Sequence, residues 1–200
     1  MKIYVRLIYL FVFMFFCFSV KLSLSDDFDK GMRALNYGDY KEALYYLSYY
    51  AVLGDPKAQY NLGLMYNKGL GVDVDKQEAI GWFFLSSEQG NMLAQYSLGL
   101  AYLKGNGVSK DNFKALNFFK KAAYQGHPSS QVNLGNMYFK GHGTLVDFAR
   151  AHMWYNLAKE KGLEGAYQNI IIIENLMSDR TLQEAVRLYN NCQHTTLPKC

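Results

Sequence analysis

A stretch of 15 residues occurs three times in the chain, and each copy begins 36 residues after the previous one. The copies begin at Ala58, Ala94 and Ser130 and share the pattern Gln-x-x-Leu-Gly-x-x-Tyr-x-Lys-Gly-x-Gly. A fixed period of this size indicates stacked supersecondary units, because each unit can bury its apolar face only against its neighbours. The repeat therefore argues against a single closed core.

Two kinds of helix alternate within this period. The first carries Leu62 and Tyr66 four residues apart, so both lie on one helical face, and the later copies repeat the pair. The second follows an aspartate that can accept hydrogen bonds from first-turn N–H groups. These aspartates are Asp39, Asp75, Asp111 and Asp147. Each second helix ends near a glycine, which readily adopts the left-handed conformation that closes a helix. These glycines are Gly54, Gly90, Gly126 and Gly162. The pattern predicts an all-α fold of helix pairs.

Further glycines recur inside the first helix and directly after it. Gly63 and its equivalents, Gly99 and Gly135, lie beside the apolar stripe, where glycine costs about 1 kcal/mol relative to alanine. Their recurrence predicts that two helices approach closely there. The Gly-x-Gly pairs that follow predict a chain reversal. They do not match a phosphate-binding loop, because no strand precedes them and no Lys-Ser/Thr follows.

The period predicts the domain organisation of the chain. A truncated helical unit is expected at 26–54, followed by repeats at 55–90, 91–126 and 127–162 and by capping helices and a tail at 163–200. Beyond 163 both glycines of the first helix are lost. The apolar run Ile170–Ile173 is suited to covering the last interface. Thr181 and Glu184 form a capping-box pattern that predicts a final helix through about Asn191.

The first 25 residues have the layout of a secretory signal peptide. Lys2 and Arg6 precede a run from Leu7 to Val20 that is apolar apart from Ser19, and small residues at 23–25 suit a cleavage site before Asp26. The alternative is a retained membrane anchor, although this run of 14 residues is shorter than the roughly 20 that span a bilayer. We expect an exported protein, periplasmic or secreted, that contacts a membrane only if this segment is kept.

The charge of the chain argues against a nucleic-acid partner. The full chain has 21 basic and 17 acidic side chains, but three of the basic residues and none of the acidic ones lie in the first 25 positions. The remainder has 18 basic and 17 acidic side chains, a net charge of +1. A near-neutral chain without a basic run lacks the electrostatic surface that nucleic-acid binding requires.

Two cysteines remain after the leader, Cys192 and Cys200. Their spacing near a terminus of an exported chain favours a disulfide that closes a small loop. A metal site built from Cys192, His194 and Cys200 is the alternative, and it lacks a fourth ligand nearby. We therefore expect no metal and no cofactor.

The ordered motif, followed by Asp-x-x-x-Ala-x-x-Trp/Phe and a closing Gly, resembles the SEL-one-like repeat, a relative of the tetratricopeptide repeat. The resemblance covers about residues 29–165 and is strongest over the three repeats. It implies an α-solenoid, a right-handed superhelix of antiparallel helix pairs whose first helices line a concave face. Members are mostly adaptors that hold proteins or peptides. Some secreted members carry a cysteine pair in each repeat, whereas this chain has no cysteine between Cys17 and Cys192.

Matching the repeats to the tetratricopeptide pattern places three residues of each repeat on the concave face. They are Tyr60, Leu64 and Asn67, then Tyr96, Leu100 and Leu103, then Val132, Asn136 and Phe139. A groove with these apolar and amide side chains would suit a peptide, with aromatic anchors supplying most of the affinity. The alternative for each residue is simple packing against a neighbouring helix.

These features predict an exported, non-catalytic scaffold that binds a protein or peptide through its concave face. The sequence contains no Gly-x-Ser-x-Gly, Ser-x-x-Lys or His-Glu-x-x-His motif, and the spacing of its four histidines suggests no ligand set. The alternative is an envelope hydrolase or cell-wall-binding protein, β-lactamase-like or related to peptidoglycan, because such activities are attached to some secreted members of the family.

Overall fold

The structure is a computed structural model in which residues 27–194 are described, and within that range it is an α-solenoid without strands. The helices are α1 (27–37), α2 (Tyr40–Val52), α3 (Pro56–Lys68), α4 (Lys76–Glu88), α5 (Met92–Lys104), α6 (Asn112–Tyr124), α7 (Pro128–Lys140), α8 (Phe148–Glu160), α9 (Glu164–Glu174) and α10 (Asp179–His194). None of the helices in this range is long and apolar enough to cross a membrane.

The helix boundaries follow from the predicted caps. Asp75 accepts from the backbone N–H groups of Gln77 and Glu78 at 2.9 Å, and the other three predicted aspartates cap their helices in the same way. The four predicted closing glycines all have positive φ. Asp55 and Asn91 cap the first helices α3 and α5. The predicted alternation of first and second helices is therefore confirmed.

A buried aromatic ring joins the two helices of each repeat. A Cβ atom placed on Gly63 would lie 2.7 Å from the ring of Phe83 in α4. The same construction on Gly99 gives 2.6 Å to the ring of Phe119, and on Gly135 it gives 2.5 Å to the ring of Tyr155. Real Cβ atoms essentially never approach so closely. The close helix approach predicted at these glycines is confirmed, and its cause is a ring seated on the glycine.

The Gly-x-Gly turns join one repeat to the repeat before it. Gly71 has a φ of +73°, and a Cβ atom there would lie 2.7 Å from the carbonyl oxygen of Tyr40. At Gly107 the corresponding atom would lie 2.6 Å from the carbonyl oxygen of Lys76. The second glycine of the turn is thus required by its φ and by close packing against the start of the preceding second helix.

Buried glutamines form a second link between repeats. The amide nitrogen of Gln59 donates to the carbonyl oxygen of Ala51 at the end of α2 (3.1 Å). Gln95 and Gln131 bond the ends of α4 and α6 in the same way. Each of these carbonyls also accepts from the N–H of the glycine that closes its helix. The repeated glutamine therefore adds a second hydrogen bond at the end of the preceding second helix.

The last unit departs from the repeat. Ile170 and Ile173 are buried in the core as predicted, whereas Ile171 and Ile172 are about half exposed. α10 packs against α8 rather than pairing with α9. It begins at Asp179 after Ser178, whose hydroxyl accepts from the N–H of Thr181 (3.2 Å). The predicted start at Thr181 is wrong, because the serine three residues earlier takes the capping position.

The α8–α9 interface also replaces an apolar pair with a polar one. His152 stands one period after Leu116, and Glu174 stands one period after Tyr138. The buried His152 ring lies 2.9 Å from a carboxylate oxygen of Glu174 through Nε2. The contact gives the buried His152 ring a hydrogen-bond partner on α9, whereas the Glu174 side chain is itself exposed.

We expect Gly99→Ala to destabilise the chain by about 1–3 kcal/mol, the usual cost of overpacking a filled core. The added methyl group collides with the ring of Phe119, which is fully buried. Gly81→Ala is the matched control, since Gly81 is an exposed glycine within α4 with no atom near its Cβ position. It should stabilise the chain by up to about 1 kcal/mol. Urea denaturation measures both changes, and equal effects would contradict the packing role of Gly99.

Candidate functional site: a groove along the first helices

The first helix of each pair lies beside the first helix of the next pair. The amide nitrogen of Asn61 on α3 lies 3.4 Å from the sulfur of Met32 on α1. The hydroxyl of Tyr60 on α3 faces Ser97 on α5. These contacts make the first helices one continuous layer, the layer on which the predicted binding residues stand.

α1 also belongs to this layer, but its residues precede their equivalents in α3 by 32 positions and not by 36. A Cβ atom on Gly31 would lie 3.3 Å from Leu47, which stands one period before Phe83. Gly31 is thus the equivalent of Gly63, at an offset of 32 residues, because Gly38–Asp39 replaces the longer Gly-x-Gly turn. Phe28 and Met32 then occupy the positions of Tyr60 and Leu64. The 36-residue period does not predict these two positions, although Gly31 marks the start of the shifted register.

A groove of about 650 Å³ runs across the starts of α1, α3 and α5. Its walls are largely apolar and are formed by Phe28, Met32, Pro56, Tyr60, Met92 and Leu93. Four amide side chains line the rest, namely Asn61, Gln89, Asn91 and Gln125, together with the cation Lys57. A concave apolar surface with a few polar groups is the usual composition of a binding site.

All nine predicted binding residues are half-buried, so each shows part of its surface to solvent. The ring of Tyr60 lies 5.9 Å from that of Phe83, and the ring of Tyr96 lies 6.0 Å from that of Phe119. Each tyrosine therefore rests on the ring that joins its repeat. The other apolar members contact core clusters: Leu64, Leu100, Leu103, Val132 and Phe139.

Three of the nine residues make specific contacts within their own repeat. Asn67 accepts from the ammonium group of Lys76 through Oδ1 (3.0 Å) and also through its main-chain oxygen. The ring of Phe139 lies 5.6 Å from that of Phe148, which holds the position in α8 that Lys76 holds in α4. Asn136 accepts from the hydroxyl of Tyr155 (2.9 Å), and burial raises the pKa of Tyr155 to about 12. These contacts restrain the three side chains.

A smaller pocket of about 140 Å³ lies further along the same layer. Asn136 and Phe139 line it together with Lys140, Tyr155, Asn169 and Ile172. The groove contains Tyr60 of the predicted set, and this pocket contains two more members. The remaining six predicted residues line neither of the two.

His127, at the start of α7, links α7 to α5 within this layer. Its Nδ1 accepts from the N–H of Ser130 (3.2 Å), and its ring lies 4.6 Å from that of Tyr96. Histidine thus takes the capping position that Asp55 and Asn91 hold in the earlier repeats. Burial lowers the pKa of His127, which keeps the ring neutral and able to accept.

The predicted cysteine pairing stays a prediction, because Cys200 lies outside the described residues. Cys192 is buried, and its sulfur lies 3.4 Å from that of Met153 on α8. The alternative metal site falls largely outside the described residues as well, since the side chain of His194 is not among them. Within the described part of the chain, no group of three or more metal-ligating side chains occurs.

The repeats match a known family model over more than half of the chain. The model of the Sel1 repeat matches residues 56–91, 93–127 and 128–163. The chain belongs to the Sel1 repeat family. Sel1 repeat proteins generally act as protein-interaction scaffolds and are typically not catalytic.

Solved structures agree with this assignment. A Sel1 repeat protein from Oxalobacter formigenes is 30% identical, with a TM-score of 0.72, and the match covers 82% of this chain and 75% of that one. A protective antigen present in uropathogenic Escherichia coli strains, which displays an SLR fold, is 31% identical with a TM-score of 0.72. That match covers 79% of this chain but only 34% of the antigen. No curated protein matches the chain.

We expect acid to destabilise the chain through His127. Because burial lowers the pKa of His127, the folded chain binds fewer protons than the unfolded chain once the pH falls below about 6.5, the usual histidine pKa. The contribution of His127 is therefore complete above that pH and is lost as the pH falls toward the lower pKa of the folded state. Comparing the free energy of unfolding at pH 7.5 and pH 5.5 measures the loss.

His127→Asn is the matched control, because Asn91 already holds the equivalent cap in α5. The variant keeps a capping acceptor but cannot take up a proton in this range, so its loss between the two pH values should be smaller. All other titrating groups are common to both proteins. An unchanged loss in the variant would show that the pH dependence comes from elsewhere.

Proposed function

We propose that this Sel1 repeat protein is an exported, non-catalytic scaffold that binds a protein or peptide through the groove across α1, α3 and α5. The observation that supports it best is the groove itself. It is the larger of the two pockets described above, and it lies on the face where the repeat positions predict binding residues.

The side chains of the groove favour a segment of polypeptide as the ligand. Apolar side chains of a ligand would pack on Phe28, Tyr60 and Leu93, where burial is worth about 25 cal/mol per Å². The amides of the rim can both donate to and accept from peptide groups. Among the described residues that line the groove, Lys57 alone is charged, so most of the contact surface there is uncharged.

The pocket at Asn136 and Phe139 extends the same surface. A ligand that followed the first helices from α1 toward α9 would meet this pocket after the groove. Several separate contacts along a repeat array raise affinity without any single tight site. The export part of the proposal rests on the leader-like sequence of residues 1–25.

The test is a single charge placed in the groove. Leu93 is the second residue of α5 and is 39% exposed. We expect Leu93→Glu to weaken partner binding at least tenfold, because a carboxylate would be buried against the apolar ligand. The fold should be retained, since an acidic side chain is favourable in the first turn of a helix. Affinity capture from an extract with quantitative mass spectrometry identifies the proteins that are lost.

Phe113→Glu is the matched control. Phe113 is the second residue of α6, is 64% exposed and does not line the groove. It therefore introduces the same charge at the same helical position outside the proposed site. Proteins lost with Leu93→Glu but kept with Phe113→Glu are the groove ligands. If the folded Leu93→Glu protein keeps every partner, the groove is not the binding site.

A further inference from the structure

The outer face of each second helix carries a stripe of three positions that recurs with the 36-residue period. In α8 these positions are Met153, Leu157 and Glu160, and α10 packs against this helix. The sulfur of Met153 lies 3.4 Å from that of Cys192, and the hydroxyl of Tyr189 donates to the carboxylate of Glu160. Leu157, between these two contacts, is buried. A helix laid across this stripe is therefore a packing that the fold already contains.

The same stripe on α2 is aromatic and aliphatic, and it is open. The equivalent positions, three periods earlier, are Tyr45, Tyr49 and Val52, which lie on one helical face because they are spaced i, i+4 and i+7. These side chains are 74%, 55% and 76% exposed, so no described part of the chain covers them. α2 thus presents the face that α10 covers on α8, but without a covering helix.

The stripes of α4 and α6 are suited to water. The ammonium group of Lys121 on α6 lies 3.7 Å from a carboxylate oxygen of Glu88 on α4, and both side chains are about half exposed. Gly81 and Asn117 stand at the position of Tyr45. The uncharged apolar stripe of α2 is therefore not a general property of the second helices.

Neighbouring rings restrain the two tyrosines of the α2 stripe. The ring of Tyr45 lies 5.2 Å from that of Tyr46 at an interplanar angle of 79°, and the ring of Tyr49 lies 5.3 Å from that of Tyr50 at 90°. Rings held edge to face lose less side-chain freedom when a partner covers them. The stripe is thus prepared for binding before a partner arrives.

The size and charge of this face suit a second copy of the chain. The three stripe residues and Leu53, which is 61% exposed, together expose on the order of 500 Å² if a tyrosine side chain has about 200 Å². Two such faces bury on the order of 1,000 Å², just below the roughly 1,200 Å² at which stable complexes begin. Because these four side chains carry no charge, two identical faces do not repel each other. Two-fold pairing of one surface with itself is the commonest arrangement in oligomers.

We propose that two copies of this protein form a reversible dimer in which the α2 stripes pack on each other across a two-fold axis. The tyrosine rings of one copy lie against those of the other, and Ser48, at the centre of the stripe, lies next to its own counterpart. The dimer is independent of the proposed function, because no residue of α2, which is described throughout, lines the groove. It places two grooves in one assembly, which strengthens the binding of a partner with two suitable segments.

Sedimentation velocity of the full chain in a mild detergent tests the dimer. Because an interface of this size is weak, we expect the mass to rise from monomer to dimer between about 10 and 500 µM. Tyr45→Glu with Tyr49→Glu should raise the dissociation constant at least tenfold, since four carboxylates would meet at the interface. The fold should be retained, because both side chains are exposed, and circular dichroism checks it.

Gly81→Glu with Leu85→Glu is the matched control, because it places the same charges at the same two stripe positions of α4. It should leave the dissociation constant unchanged. A wild-type chain that stays monomeric over the whole range overturns the inference. Equal weakening by the two double variants, or no weakening by either, also overturns it, since the association would then use another surface.

Cross-linking tests the two-fold axis with the apolar stripe intact. A short bismaleimide should join two Ser48→Cys chains through position 48, because a residue on the axis meets its own counterpart. Phe84→Cys, at the equivalent position of α4 and 47% exposed, should give no such link. Peptide-level mass spectrometry separates these links from those of the native cysteines. Absence of the link at position 48, or equal linking at position 84, overturns the proposed geometry.

Discussion

The seating of one aromatic ring on one glycine in each repeat sets the spacing of the whole array. Because the Cβ position of Gly63, Gly99 and Gly135 is filled by a ring from the second helix, the two helix backbones lie closer than ordinary side chains allow. Two of these rings, those of Phe83 and Phe119, also pack against the rings of Tyr60 and Tyr96. The position of the candidate binding face is therefore a consequence of this packing, since a change in helix spacing would move the tyrosines with it.

Links between repeats then convert equal units into a continuous surface. The Gly-x-Gly turn packs on the backbone of the preceding second helix, and the buried glutamine donates to a carbonyl oxygen at the end of that helix. Both links use backbone groups of the neighbour, so they tolerate variation in its side chains.

The period of the sequence predicted the helices, their caps and the close approach at the glycines, because these depend on residues within one repeat. It did not predict the contribution of α1, since the shorter connection at Gly38–Asp39 shifts the register by four residues and hides Phe28 and Met32 from a 36-residue count. Nor did it predict that Lys76 would bond Asn67, because a flexible lysine side chain has many reachable partners. Of the predicted surface residues, Tyr60, Asn136 and Phe139 line the groove or the smaller pocket. The role of the nine residues in binding stays a prediction.

The last two helices, α9 and α10, pack differently from the helix pairs of the repeats. α9 has the place of a first helix, yet Ile171 stands where the earlier repeats have the glycine that receives a ring. A second helix packed in the usual way would collide with this isoleucine, and α10 instead crosses to α8. In this arrangement the buried His152 of α8 forms a hydrogen bond with Glu174 of α9. The same substitution that prevents a fourth repeat therefore directs the last helix over the core, which α10 closes with Cys192 against Met153.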